Sequence, residues 1–366
     1  MKPSHIDWCP MIPDHWEEKR IKDIAFLQSG NSITAMDFVE DGKFPVYGGN
    51  GLRGYTNTYT NEGDYVLIGR QGALCGNINY AHGKFYASEH AVVVYPKKEE
   101  ITLWLGETLR TANLNRLSMT AAQPGLAVST LNLQFIPFPP KDERIRIAKY
   151  LDKKLSEIDH QVSLLTSKRD AYLRLKKSII NHAVTRGLNP NVKMKDSGIE
   201  WIGEVPEHWE VKRMKDICAL SPNIKSCSEY EYGSYLPMEG LRLDQIETSD
   251  ELVSTLQGKY TPFEDNDLLV AKVTPCFENG NIAIAKGLTN GVGFGSSEIF
   301  VLRANKYNNI RFLFYMSLSS KFQDKACATM CGVGGLKRIS PLFMKTYIMA
   351  IPPSTEQRAI ATYLDD

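Results

Sequence analysis

Short apolar runs broken by Gly, Asn and Asp dominate two long stretches of the chain. Tyr65-Val-Leu-Ile68, Ala91-Val-Val-Val-Tyr95, Leu268-Leu-Val-Ala271 and Ile299-Phe-Val-Leu302 have the length and β-branched content of buried strands. Segments near 101 to 117 and 308 to 325 read as short helices, so each stretch is a compact, mainly-β body. Between the bodies the period changes. Leu151, Leu155, Ile158, Val162, Leu165, Tyr172 and Ile179 fall on alternating steps of four and three, skipping only the sites at Arg169 and Lys176. Pro139 and Pro140 precede this row, and Gly187 and Pro190 close it, as start and stop signals should. The pattern predicts one helix from about Lys141 to Gly187. At 1.5 Å per residue its stretch from 151 to 187 extends roughly 55 Å, close to one and a half turns of B-DNA at about 34 Å per turn.

A tandem repeat sets the architecture. Ile6 to Ile24 returns as Ile199 to Ile217 with eleven of nineteen positions identical, including Trp8, Pro13, His15 and Trp16 against Trp201, Pro206, His208 and Trp209. Pro139 to Asp152 returns as Pro352 to Asp365, sharing Pro-Pro, a Glu three residues after the second of them, and Tyr-Leu-Asp. The bodies between these frames diverge, leaving faint echoes: Gly76-Asn77-Ile78 against Gly280-Asn281-Ile282, and Ser88-Glu89 against Ser297-Glu298. The expected architecture is α+β: two similar mainly-β domains, residues 1–140 and 191–351, joined by a spacer helix over 141–190. Residues 352–366 begin a second helix.

Charge and composition narrow the function. Lys plus Arg (43) nearly balance Asp plus Glu (42), so the chain has no overall basic signature for nucleic acid. Residues 141 to 187 hold twelve Lys/Arg against six Asp/Glu, a local +6 that leaves the remainder at −5. Seven scattered cysteines without a C-x-x-C pair fit a reducing cytoplasm. No signal-type apolar run opens the chain and no stretch of 18 apolar residues occurs, so neither export nor a membrane is expected.

The two W-x(4)-P-x-H-W frames, the two P-P-x(2)-E...L-D helix starts, and the helix from Leu151 to Gly187 between them together resemble the specificity subunits of type I restriction-modification systems, over nearly the whole chain. That resemblance implies two target recognition domains, each reading one half of a bipartite sequence in double-stranded DNA. It also implies helices that set the spacing and dock methyltransferase subunits, with a restriction and translocase subunit joining for cleavage. The subunit itself is expected to be non-catalytic and to hold no cofactor, S-adenosylmethionine belonging to the methyltransferase partner. Family members continue past the second Leu-Asp into a further long helix, whereas this chain stops at Asp366. Its apolar stripe is therefore expected to self-associate or to capture a methyltransferase subunit.

Rival chemistry finds little support. Gly49-x-Gly51-x-x-Gly54 has the spacing of a dinucleotide fingerprint, but Tyr55-Thr-Asn-Thr-Tyr-Thr60 after it is strand-like, where the fingerprint needs a helix. Glu17-Glu18-Lys19 is too tight for a nuclease metal site, and neither N/D-P-P-Y/F nor G-x(4)-G-K-S/T occurs. His and Cys do not cluster at zinc spacing.

The candidate DNA contacts are polar residues at loops and strand ends. Tyr47, Asn50 and Arg53 flank the Gly49 turn; Arg70-Gln71 follows one buried strand and Lys272-Val-Thr274 follows its counterpart. Lys337 and Arg338 end a Gly-rich loop whose nearest counterpart is Gln123-Pro-Gly125. Asn suits adenine and Arg suits guanine in the major groove. A plain solvated loop is the competing account of each, while Ser88, Glu89, Ser297 and Glu298 read as structural. Two competing functions stand beside DNA addressing: the recognition part of a related type II complex, and a protein-interaction scaffold. Divergent bodies in one preserved frame favour readers of two different words.

Overall fold

The two frames enclose bodies of one topology. The computed structural model describes every residue except 73, 98–101, 119–123, 223, 225–228 and 334. The chain divides into two compact units, Met1–Leu165 and Thr166–Asp366. In the first, strands Ala25–Ser29, Ala91–Pro96, Tyr65–Gly69 and Ile78–Ala81 lie side by side in that order, all antiparallel. A second sheet runs Gly51–Thr56, Phe44–Gly48, Lys84–Ala87, Asn61–Glu62, with its middle pair parallel. The second unit repeats this arrangement strand for strand. Its sheets are Cys218–Leu220, Ile299–Ala304, Leu268–Ala271, Ile282–Ile284 and Ser249–Leu252, Tyr232–Leu236, Val292–Gly295, Thr261–Glu264, the middle pair of the latter again parallel.

The continuous apolar runs have a physical cause. In the first unit Val66, Ile68, Val92 and Val94 face a core that includes Trp104, Leu105 and Leu109 of helix Thr102–Thr111. Leu67 and Val93, on the opposite face of the same strands, pack with Phe85 and Ala87 in a smaller core. A strand covered on both faces has no solvent side to demand alternation, and each such side chain contributes about 1.5–3 kcal/mol on burial.

The predicted helix spans Lys141–Arg186. Ala148 near its start joins the first unit's core, where the Arg144 guanidinium lies 4.0 Å from the Phe138 ring centre. Near its end Ile180, Ala183 and Val184 join the second unit's core. Gly187, at φ +76°, donates its N–H to the Ala183 carbonyl in the left-handed conformation that ends helices. Between these anchorages the heptad row is uncovered: Leu155, Ile158, Val162, Leu165 and Tyr172 are 38–65% exposed and Ile179 36%, while Leu151 is half-buried. Leu164, Leu173 and Leu175, outside the row, add further exposed apolar surface.

Each unit is closed by its own two frame motifs. Glu17–Arg20 pairs with Phe135–Phe138, as Glu210–Arg213 pairs with Ile348–Ile351. Glu143, in the first turn of the central helix, accepts a hydrogen bond from Trp16 Nε1 at 2.8 Å and lies 2.7 Å from His15 Nε2. Glu356, in the first turn of helix Ser354–Asp365, accepts from Trp209 Nε1 at 3.2 Å and lies 2.7 Å from His208 Nε2. The Pro-Pro-x-x-Glu and His-Trp motifs thus meet within each unit as carboxylate, indole and imidazole.

Candidate nucleic-acid interface

The ladder registers bring the two sets of strand-end residues to equivalent places. Ala91 faces Gly69 in one unit and Ile299 faces Ala271 in the other, so Arg70 and Lys272 occupy the same position just beyond the sheet. Their backbones confirm it. The Arg70 N–H donates to the His90 carbonyl and the Arg70 carbonyl accepts from Leu126; the Lys272 N–H donates to the Glu298 carbonyl and the Lys272 carbonyl accepts from Ile339. The next residues form matching bridges, Gln71 with Gly125 and Val273 with Arg338.

These bonds correct the sequence alignment at one place. Ser88 and Ser296 accept the same turn hydrogen bond, from Ala91 and Ile299, so Ser88-Glu89 corresponds to Ser296-Ser297, one residue earlier than the echo suggested. Glu298 therefore stands where His90 stands. The other echo holds in register: Asn77 and Asn281 each accept from the last residue of the equivalent strand, Gly69 and Ala271, with Ile78 and Ile282 next on the neighbouring strand.

In the first unit Asn50, Arg53, Arg70 and Gln71 lie at or near the surface. Gly48 and Gly51 pair across the turn at Gly49-Asn50, so the glycines belong to a β-hairpin with no helix after it. A Cβ on Gly49 would stand 3.1 Å from the Gln71 carbonyl oxygen and 3.2 Å from that of His90, which is why glycine brings this hairpin against the Arg70 segment. Asn77 Nδ2 donates to Asn50 Oδ1 at 3.1 Å, and His90 Nδ1 lies 2.9 Å from Gln71 Oε1. The Arg53 guanidinium lies 5.7 Å from the Phe38 ring centre. The Tyr47 ring packs edge-on to Phe85, 5.8 Å between centres, against the smaller core.

In the second unit Lys272, Thr274, Lys337 and Arg338 come together. The Gly-rich segment, expected as a flexible loop, is a hairpin of Cys331–Val333 and Leu336–Arg338; its glycines hid a pairing that tertiary context imposes. Its proposed counterpart Gln123 lies outside the described residues, but Pro124 and Lys337 accept equivalent bonds from Gly72 and Thr274. Thr274 Oγ1 donates to the Gly335 carbonyl at 2.8 Å and accepts from the Lys337 N–H at 3.0 Å. Lys272 Nζ donates to the Ser297 carbonyl at 2.6 Å above the Phe300 ring, and burial lowers its pKa from the ordinary lysine value. Arg338 Nε lies 3.0 Å from both Glu298 carboxylate oxygens, with Nη2 2.7 Å from Oε1. That bond holds the Glu298 carboxyl below its ordinary range.

Asn77, His90 and Glu298 are site neighbours that the sequence did not single out as contacts. Asn77 and Glu298 carried a signal as echoes, one of them out of register; His90 carried none. Among the described residues no group of three or more His, Cys, Asp or Glu is placed to hold a metal ion, and no helix is long and apolar enough to cross a membrane. In the second unit the central helix and the helix Ser354–Asp365 border a groove of about 650 Å³ that includes Tyr172, Ile179, Tyr363 and Leu364.

The sequence matches the family model described as the type I restriction modification DNA specificity domain twice, over residues 13–164 and 206–366. The chain is 40% identical over 141 residues to the type I restriction enzyme EcoprrI specificity subunit of Escherichia coli, covering 37% of this chain and 35% of that protein. It thus spans about a third of that relative's length. A longer alignment reaches the type I restriction enzyme MjaVIII specificity subunit of Methanocaldococcus jannaschii, 22% identical over 379 residues, 96% of this chain and 86% of the relative. Among solved structures, one described in terms of complex assembly and conformational transition of the type I R-M system superposes with a TM-score of 0.67 at 14% identity, covering 97% of this chain and 90% of that one. At that identity the likeness speaks for the fold.

Proposed function

This chain belongs to the type I restriction modification DNA specificity family, and from that premise we propose that it is the non-catalytic address-reading subunit of a methylation and restriction complex. Each unit reads one half of a bipartite target in double-stranded DNA, the first through Asn50, Arg53, Arg70 and Gln71, the second through Thr274, Lys337 and Arg338, with Tyr47 and Lys272 positioning the segments beside them. One observation carries this reading: a single topology delivers two chemically different polar clusters to one position beyond the same sheet. A scaffold has no use for such variation at a fixed place. Sequence-specific readers need it, because base edges differ in donors and acceptors.

In this reading the domains are those expected from the sequence, residues 1–140 and 191–351 as readers with 141–190 as spacer. The exposed row from Leu155 to Tyr172 on the central helix is the assembly surface, taking an adenine methyltransferase subunit that supplies S-adenosylmethionine chemistry, and through the assembled enzyme a restriction and translocase subunit. The complex works in the cytoplasm, consistent with six free cysteines among the described residues. The test is a body exchange. Replacing the segment between Leu27 and Pro139 with that of another such chain, then mapping methylated sites in the assembled enzyme, should change one half of the recognised sequence and leave the other intact. Change in both halves, or in neither, would overturn the assignment of one reader to each unit.

A further inference from the structure

The arginine at the second unit's strand end is already held by an anion. Glu298 takes the edge of the Arg338 guanidinium formed by Nε and Nη2. A guanidinium carries five N–H groups in one plane, so its other edge, Nη1 with the second N–H of Nη2, faces away from the carboxylate. The arginine side chain is half exposed. Glu298 is itself fixed: its carbonyl accepts from the Lys272 N–H at 2.8 Å and its N–H donates to Ser296 Oγ at 3.2 Å. Arg338 is tied at its root by the bridge to Val273. Backbone and tip are therefore both constrained, and the free edge has one direction.

We propose that Glu298 is a positioning residue that presents this free edge of Arg338 to the O6 and N7 acceptors of a single guanine, making the pair a specificity determinant of the second half-site. The inference rests on the DNA-reading function proposed above. Guanine is the base whose major-groove edge offers two adjacent acceptors; adenine sets an amino donor against one of the guanidinium N–H groups. A phosphate would accept the same edge but would carry no sequence information. The first unit lacks the device: Gly125 stands at the place of Arg338 and His90 at that of Glu298. There the Arg70 side chain has no hydrogen-bond or ion-pair partner among the described residues.

The test uses the full chain at low salt with a fully randomised duplex library, sequencing the bound DNA for wild type, Arg338→Ala, Glu298→Ala and Glu298→Gln, with a thermal midpoint for each to confirm folding. Wild type should enrich a two-part word. Arg338→Ala should lose a guanine at one position of one part, and Glu298→Ala should weaken that same preference by about tenfold while the other part stays unchanged. Glu298→Gln keeps an acceptor oxygen and should restore part of it. The proposal is overturned if Glu298→Ala keeps the guanine that Arg338→Ala loses, or if Arg338→Ala lowers binding evenly with the word unchanged, as a phosphate contact would. Failure of wild type to enrich any word would instead count against DNA reading itself.

Discussion

Glu143 joins a helix start to a strand start 127 residues away, through Trp16 and His15. These bonds, that of Trp16 foremost, hold its carboxyl below the ordinary glutamate range. A group whose folded pKa is depressed stabilises the fold above its unfolded value, near 4.3, and that contribution is lost as pH falls through the folded one. The difference in thermal midpoint between wild type and Glu143→Gln should therefore be largest at neutral pH and shrink below about pH 4. A difference that stays constant over that range would show that the charge plays no part. The sequence exposed both motifs as repeats but not as partners, because nothing in local spacing says that residues so far apart meet. The one-residue shift at Glu298 was hidden for a related reason: only the ladder hydrogen bonds fix which residue stands beside Lys272. The site residues themselves were legible as polar groups following buried strands, and their pairing was not.

The central helix was the most readable element, because its row of steps, its prolines and its terminal glycine agree. Its end is also its most restrictive point. Gly187 has φ +76°, and a Cβ there would stand 2.8 Å from Glu356 Oε1, an oxygen of the carboxylate that holds Trp209 and His208. Gly187→Ala should lower stability by about 1–2 kcal/mol from backbone strain alone, read from the denaturant midpoint, and Gly187→Asn by less. An alanine variant as stable as wild type would exclude this account. The strands were legible as runs buried on both faces, yet their order in two sheets depends on contacts between distant segments, such as Phe44–Gly48 beside Lys84–Ala87. Periodicity carries no record of such pairings.

The molecule leaves uncovered a helix face that its composition would normally bury. Ile158 is 53% exposed, so Ile158→Asp should change the unfolding free energy of the chain by no more than about 0.5 kcal/mol, as surface changes do, while abolishing self-association or capture of a methyltransferase subunit. Light scattering that finds wild type monomeric at micromolar concentration, together with partner binding unchanged in the mutant, would remove this face as an assembly surface. The closure of each unit by Glu143 with Trp16 and His15, and by Glu356 with Trp209 and His208, has a consequence for heredity. The residues that shut each body lie in its borders, and those borders repeat the same closing residues in both halves. A genetic crossover within them, between two such genes or between the two halves of one, yields a chain whose bodies still end in a complete set of carboxylate, indole and imidazole. New combinations of bodies can thus arise by exchange of coding DNA, with no intermediate generation in which the fold has to be refitted.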